Sequence, residues 1–203
     1  MKKLRFLILL FLYGCAAAPA PGTSVAAPEN TPCVGQVPTS VPGLAAAAND
    51  ELTSSALGLD DKGGVCAAIA FTAIEPVQVY RVYDSKSGNP YGRWWSLKRP
   101  RQSREQYRAS YAICPEWSAL DRLISCRLKP GSRIVLGTTQ SMQCKDTAYP
   151  KSSDIQVYIP NDVNTQAVYV DNCVEEEPWP LPVVVNSRES ADNSAARITG
   201  SSP

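Results

Sequence analysis

The cysteines of this chain limit what it can fold into more than any other feature. Of 7 cysteines, Cys15 closes an export-type leader, and Cys33, Cys66, Cys114, Cys126, Cys144 and Cys173 are spread over the rest. The leader has a basic start over Met1–Arg5 and an apolar run over Phe6–Tyr13, too short to span a bilayer. An even number of cysteines after an export signal reads as a disulfide framework made in an oxidising compartment. Sequence leaves the connectivity open. The expected pairing is Cys33–Cys66, Cys114–Cys126 and Cys144–Cys173. No two of the six form a C-x-x-C pair, which argues against a thioredoxin-type site or a zinc knuckle.

Leu12-Tyr13-Gly14-Cys15 looks like a lipobox with Cys15 as the lipidated residue, which would tie the chain to a membrane. Ordinary secretory cleavage among the alanines that follow is the alternative. The expected location is therefore outside the cytoplasm, as a periplasmic or outer-membrane lipoprotein or as a secreted protein. The expected organisation is a signal peptide over 1–14, a flexible Ala/Pro-rich tether over 15–49, a domain over 50–185 and a disordered tail over 186–203. Losing the leader removes Lys2, Lys3 and Arg5, so the formal charge moves from +1 to about −2, which gives no drive towards nucleic acid.

Histidine is absent. Ser-His-Asp and Cys-His catalysis and the common histidine-based zinc sites are thereby excluded, and no metal site is expected. Any chemistry must rest on carboxylates, amides, hydroxyls or arginine.

Hydrophobic patterning gives an α+β domain with a twisted, mostly antiparallel mixed sheet and few helices. A short helix is expected within 50–59, capped by Asp50. Val65–Phe71 is apolar enough for a buried strand or a helix, and periodicity does not decide. Ser103 precedes Gln106 at capping-box spacing, and Tyr107 and Tyr111 follow four residues apart, so a helix is expected over 103–112. Strands are expected at 79–84, 120–128, 133–136, 155–159 and 166–170, the fourth with Ile155, Val157 and Ile159 on one face and Gln156 and Tyr158 on the other, with a hairpin turn at Lys129-Pro130-Gly131-Ser132 and a long polar loop over 138–149.

The most informative stretch is VYRVYDSKSGNPYGRWWSL, Val79–Leu97. Arg81 sits inside an apolar strand, where an unpaired charge is costly unless it meets an anion. Two tryptophans and a serine follow after a Gly/Pro-punctuated turn. A guanidinium beside aromatic faces suits a diphosphate and a flat ring. An arginine in a structural ion pair with core tryptophans would account for the same residues. Arg93, Lys98, Arg99, Arg101, Arg104 and Arg108 form a basic run, read either as a rim for nucleotide phosphates or as a solvated face.

The ordered motifs YRVYD, GRWWS, PEW (Pro115–Trp117), KPG (Lys129–Gly131) and QVYIP (Gln156–Pro160) resemble those of NAD-cleaving toxin domains related to the tuberculosis necrotising toxin. They resemble most the C-terminal toxin domains of contact-dependent inhibition proteins and secreted fungal relatives, and the likeness covers roughly residues 77–174. It implies an ADP-ribosyltransferase-like fold and an NAD glycohydrolase that breaks the nicotinamide–ribose bond. NAD would be the substrate, with no further cofactor, and an immunity protein would be a partner. Carried over by position, Gln156, Arg81 and Ser96 would be catalytic, with Trp94, Trp95, Arg93 and Tyr83 around the substrate. An amide at 156 can hydrogen-bond a ribose hydroxyl or water but cannot serve as a strong base, which favours hydrolysis over transfer to protein. The sequence departs from the resembled domains just before the glutamine, where Lys151-Ser152-Ser153-Asp154 replaces a glycine-rich turn. A protein ADP-ribosyltransferase and a non-catalytic binding or immunity lipoprotein are the alternative readings.

Overall fold

In a computed structural model, residues 31–87, 89–176 and 178–180 are described. The signal peptide, the Cys15 lipobox and the tail from 186 onwards lie outside the described residues. Among the described residues the fold is built on two antiparallel sheets, an α+β arrangement with two α-helices and three disulfides.

Val65–Phe71 resolves as strand. β2 (Val65–Ala73) lies between β1 (Leu44–Ala46) and β6 (Arg133–Thr139), with Phe71 and Ala73 buried in one hydrophobic cluster and Val65 and Ala70 in another. β9 (Ser152–Tyr158) pairs with β6, and the short β4 (Trp94–Trp95) pairs with β9, giving the order β1-β2-β6-β9-β4. The second sheet has the order β10 (Val170–Glu176), β5 (Arg122–Leu128), β3 (Gln78–Tyr83). A hairpin of β7 (Met142–Gln143) and β8 (Ala148–Tyr149) forms a third, two-stranded sheet. The single mixed sheet expected from the sequence is thus divided, because β3 pairs with β5 rather than with the β2–β6–β9 group.

Phe71, Val79, Trp95, Ile124, Leu136, Val157 and Ile159 meet in one core from both sheets. Ile155, Val157 and Ile159 contact this core, whereas Tyr158, two residues from Gln156, packs on the other face with Val65, Val135 and Trp94. This is the alternation read from the sequence.

Helix α1 (Asp50–Ala56) is capped by Asn49, not Asp50: Leu52 N–H donates to Asn49 Oδ1 at 3.0 Å. Asp50 falls in the first turn, where a carboxylate complements the helix dipole. Helix α2 (Arg104–Tyr111) carries the full capping box, with Gln106 N–H donating to Ser103 Oγ and Ser103 N–H to Gln106 Oε1. The turn at 129–132 forms as expected, with Gly131 at φ +87°, where a Cβ would be strained. Two expectations shift. The 138–149 segment is not a plain loop, since it holds the end of β6 and the β7–β8 hairpin. The strand expected over 166–170 begins only at Val170, because Gln166 has a positive φ and Asp162 and Ala167 close a tight turn.

The disulfides bear out Cys33–Cys66 and correct the other two. Cys114 joins Cys144, and Cys126 joins Cys173. The reason is topological. Cys126 lies on β5 and Cys173 on its direct neighbour β10, so their backbones already run side by side. Cys114 follows α2 and reaches the β7–β8 hairpin instead. Cys33–Cys66 also fixes the segment before β1. Residues 33–49, placed in the expected tether, include β1, and Val37 and Val41 pack on the core. No helix among the described residues is long and apolar enough to cross a membrane.

Candidate functional site

The site lies where the sheets part. Trp94 and Trp95 pair with Tyr158 and Val157 of β9. One residue later the chain changes sheets: Ser96 N–H donates to the Tyr80 carbonyl at 2.8 Å, and Tyr80 N–H to the Ser96 carbonyl at 2.9 Å. Gln156 is the next residue of β9, and opposite it β4 has already left. A cleft of about 710 Å³ opens at this split, bordered by Arg81, Tyr83, Trp94, Trp95, Tyr107 and Gln156. That is an ordinary size for a small-molecule site.

Arg81 reaches the cleft from β3. Its Nη1 donates to the Trp94 carbonyl at 2.9 Å, and its Nε is buried with no acceptor. No carboxylate pairs with it among the described residues. Gly92 makes room for it, since a Cβ there would stand 2.3 Å from Nη2 and 2.5 Å from Cζ. Burial lowers the pKa of the guanidinium, partly offset by the nearby Tyr107 and Tyr83, yet an arginine keeps its proton. Arg81 is thus a buried cation at the cleft edge with one donor that has no acceptor, an arrangement that is costly unless an anion offsets it.

Gln156 reaches the cleft from β9 and is only 5 % exposed. Its Nε2 donates to Thr139 Oγ1 at 3.0 Å and to the Gly64 carbonyl at 3.4 Å. The Gly64 carbonyl can only accept, so it fixes which end of the amide is nitrogen. Oε1 receives no hydrogen bond from the described residues and is left as an acceptor at the cleft. Arg81 and Gln156 do not reach the cleft from neighbouring strands. β3 and β9 belong to different sheets, and β4 between them brings both side chains to one cleft.

The other expected site residues divide. Trp94 borders the cleft and makes an edge contact with Tyr158 at 5.0 Å between centroids. Trp95 also borders it but is mainly core, with its Nε1 donating to the Gly92 carbonyl. Tyr83 lines the cleft, and its hydroxyl donates to Glu175 at 2.7 Å. Burial and then that bond push its pKa up to about 12. Ser96 does not border the cleft among the described residues. It is buried and donates to the Lys98 carbonyl at 2.8 Å, so it holds the strand junction. Arg93 is exposed, donates to the Asn161 carbonyl and is not among the residues bordering the cleft.

On sequence the basic run reads as a phosphate rim or a solvated face. None of its six members borders the cleft among the described residues. Arg104 donates to the carbonyls of Leu120 and Trp179, and Arg108 to those of Ile113, Cys114 and Ser118. Sequence alone did not show which arginines of the run are spent on backbone carbonyls.

Several cleft residues were not foreseen. Gly58, Lys62, Gly63 and Gly64 form one wall. Gly58 tolerates no side chain, because a Cβ there would lie 1.6 Å from the Gly63 carbonyl oxygen. Tyr107 and Tyr111 of α2 also line the cleft. Their spacing predicted the helix, not its position over the split. Desolvation, then Asp154, push Tyr111 up to about 12. Trp117 borders the mouth. Cys114, Glu116 and Cys144 come together beyond it, but both sulfurs are spent in the disulfide and cannot act as thiolate ligands. No protein-family model, curated protein or solved structure matches this chain.

Proposed function

We propose that this is an exported NAD glycohydrolase with an ADP-ribosyltransferase-like arrangement of strands. The observation that carries the reading is one cleft holding a buried, carboxylate-free guanidinium and an amide with its oxygen unoccupied. The motif order of the sequence supports it, and so does the position of the three motif strands β3, β4 and β9 around the split. Three disulfides fit an oxidising, exported environment.

In this reading Arg81 binds the diphosphate, replacing its water with one buried charge-assisted contact. Trp94 covers the nicotinamide. The nicotinamide–ribose bond breaks with its electron pair going to the ring nitrogen, which discharges the pyridinium and leaves an oxocarbenium-like ribose. Water adds to the anomeric carbon and releases a proton to solvent, giving ADP-ribose. Gln156 Oε1 accepts a hydrogen bond from a ribose hydroxyl or from that water and holds it in line. Ser96 acts at one remove, by fixing the β3–β4 junction that places Arg81 and Trp94. A carboxylate at 156 would favour activating a protein nucleophile, so an amide favours hydrolysis.

The experiment is incubation of the oxidised protein with NAD labelled in its adenylate half. Free nicotinamide and free ADP-ribose in equal amounts are expected, with no label on protein. Label retained on protein would instead indicate transfer, and no nicotinamide release would discard both enzyme readings.

A further inference from the structure

We propose that Trp117 is a base platform that stacks the purine ring of the dinucleotide at the mouth of the cleft. The proposal rests on the NAD reading and names the part of the substrate that reading leaves unassigned. Trp117 is 55 % exposed and borders the same cleft as Arg81 and Gln156. A large indole left in water is usually buried elsewhere in a domain of this size, or kept for a ligand.

The backbone carrying it is held unusually firmly for a surface turn. Pro115 opens a single 3-10 turn, and Trp117 N–H donates to the Cys114 carbonyl at 3.1 Å. Cys114 is bonded to Cys144. Glu116 accepts from Lys145 N–H at 3.0 Å. Arg108 donates to the carbonyls on both sides of the turn, at Cys114 and Ser118. The frame is fixed while the ring stays open to solvent, so stacking a flat partner costs little ordering entropy. Leu57 and Leu59 border the same cleft while 45 % and 78 % exposed, adding an apolar rim.

The cleft therefore offers two indoles that are not fully buried, Trp94 and Trp117, and one buried cation with an idle donor. Two flat rings joined by an anionic connector match that set. A mononucleotide would use only half of it.

The test compares NAD with nicotinamide mononucleotide, which keeps the scissile bond and lacks the adenylate half. W117A should lower the ratio of kcat/KM for NAD over the mononucleotide by about 10- to 100-fold, the usual worth of one stacked base. W117F should recover part of it. An equal loss on both substrates, or none on NAD, overturns the proposal. Because turnover could fail for reasons belonging to the parent reading, ADP-ribose binding by calorimetry is the second readout. W117A should weaken it by a similar factor, with the melting temperature unchanged. Unaltered ADP-ribose affinity in W117A overturns the platform even if the protein cleaves NAD. If the wild type binds ADP-ribose through Trp117 without releasing nicotinamide, the platform stands and the hydrolase reading falls.

Discussion

The seat of Arg81 can be tested without touching Arg81. In Gly92→Ala the new Cβ would lie 2.3, 2.5 and 2.8 Å from Nη2, Cζ and Nη1. Carbon and nitrogen do not approach that closely, so the guanidinium must retreat by about an ångström. The Nη1 bond to the Trp94 carbonyl, now 2.9 Å, then fails. A hydrogen bond from a charged donor is worth about 1.5–3 kcal/mol, and Gly92 is not in a left-handed conformation that alanine would resist. The expected cost is about 2 kcal/mol, a fall of about 4–8 °C in melting temperature for a domain of this size. Ligand affinity should fall as far as it does in Arg81→Ala. The double mutant decides the cause. With Arg81 already removed, the three atoms nearest the new Cβ are gone, and Gly92→Ala should cost far less or nothing. Melting curves of the four proteins of this cycle give the coupling. An equal cost of Gly92→Ala in both backgrounds would refute the steric account and with it the claim that Gly92 exists to seat Arg81.

Two further outcomes follow from the fold. Peptide mapping of unreduced protein should recover Cys114 linked to Cys144 and Cys126 linked to Cys173; removing the latter pair as Cys126→Ala/Cys173→Ala opens a closure of 47 residues and should cost about 4 kcal/mol on the chain-entropy estimate. Asp121 accepts from Ser85 N–H at 2.8 Å and Ser85 Oγ at 2.6 Å, and these bonds hold its pKa below the ordinary aspartate value. Its folded pKa is depressed, so its contribution is complete above the unfolded value of about 3.9 and is lost as pH falls through the folded one. Asp121→Asn should therefore flatten the acid limb by lowering stability at neutral pH towards its low-pH value, with little change below the folded pKa; an unchanged acid limb would contradict the assignment.

What was legible in the sequence was local. Ser103 and Gln106 announced the start of α2, Lys129–Ser132 the turn, and the alternation of Ile155, Val157 and Ile159 the orientation of Gln156. These signals act over a few residues, where geometry follows directly from residue type. Pairings across the chain were not legible. Cys126 gives no local sign that its neighbour is β10 rather than the segment near Cys114, and nothing in Val79–Tyr83 says that β3 leaves the β2–β6–β9 group. Arg81 was found because a charge in an apolar strand is conspicuous. Arg108 was misread for the opposite reason. It stands in a run of charges, and only the fold shows three carbonyls converging on it. Trp117 was seen as part of a motif, but exposure is a property of the folded surface and had no sequence signal.

The central claim is that Gln156 offers its free oxygen to the reacting ribose or water. Turnover of NAD by wild type and Gln156→Ala, with melting curves alongside, tests it most directly. The substitution should spare the fold, because both partners of Nε2 keep another bond. The Gly64 carbonyl still accepts from Gln140 N–H, and Thr139 Oγ1 still donates to the Asp154 carbonyl. Nicotinamide release should fall by about a hundredfold or more, the usual loss for one oriented polar group in a transition state, at nearly unchanged melting temperature. Equal turnover by the two folded proteins would contradict the account.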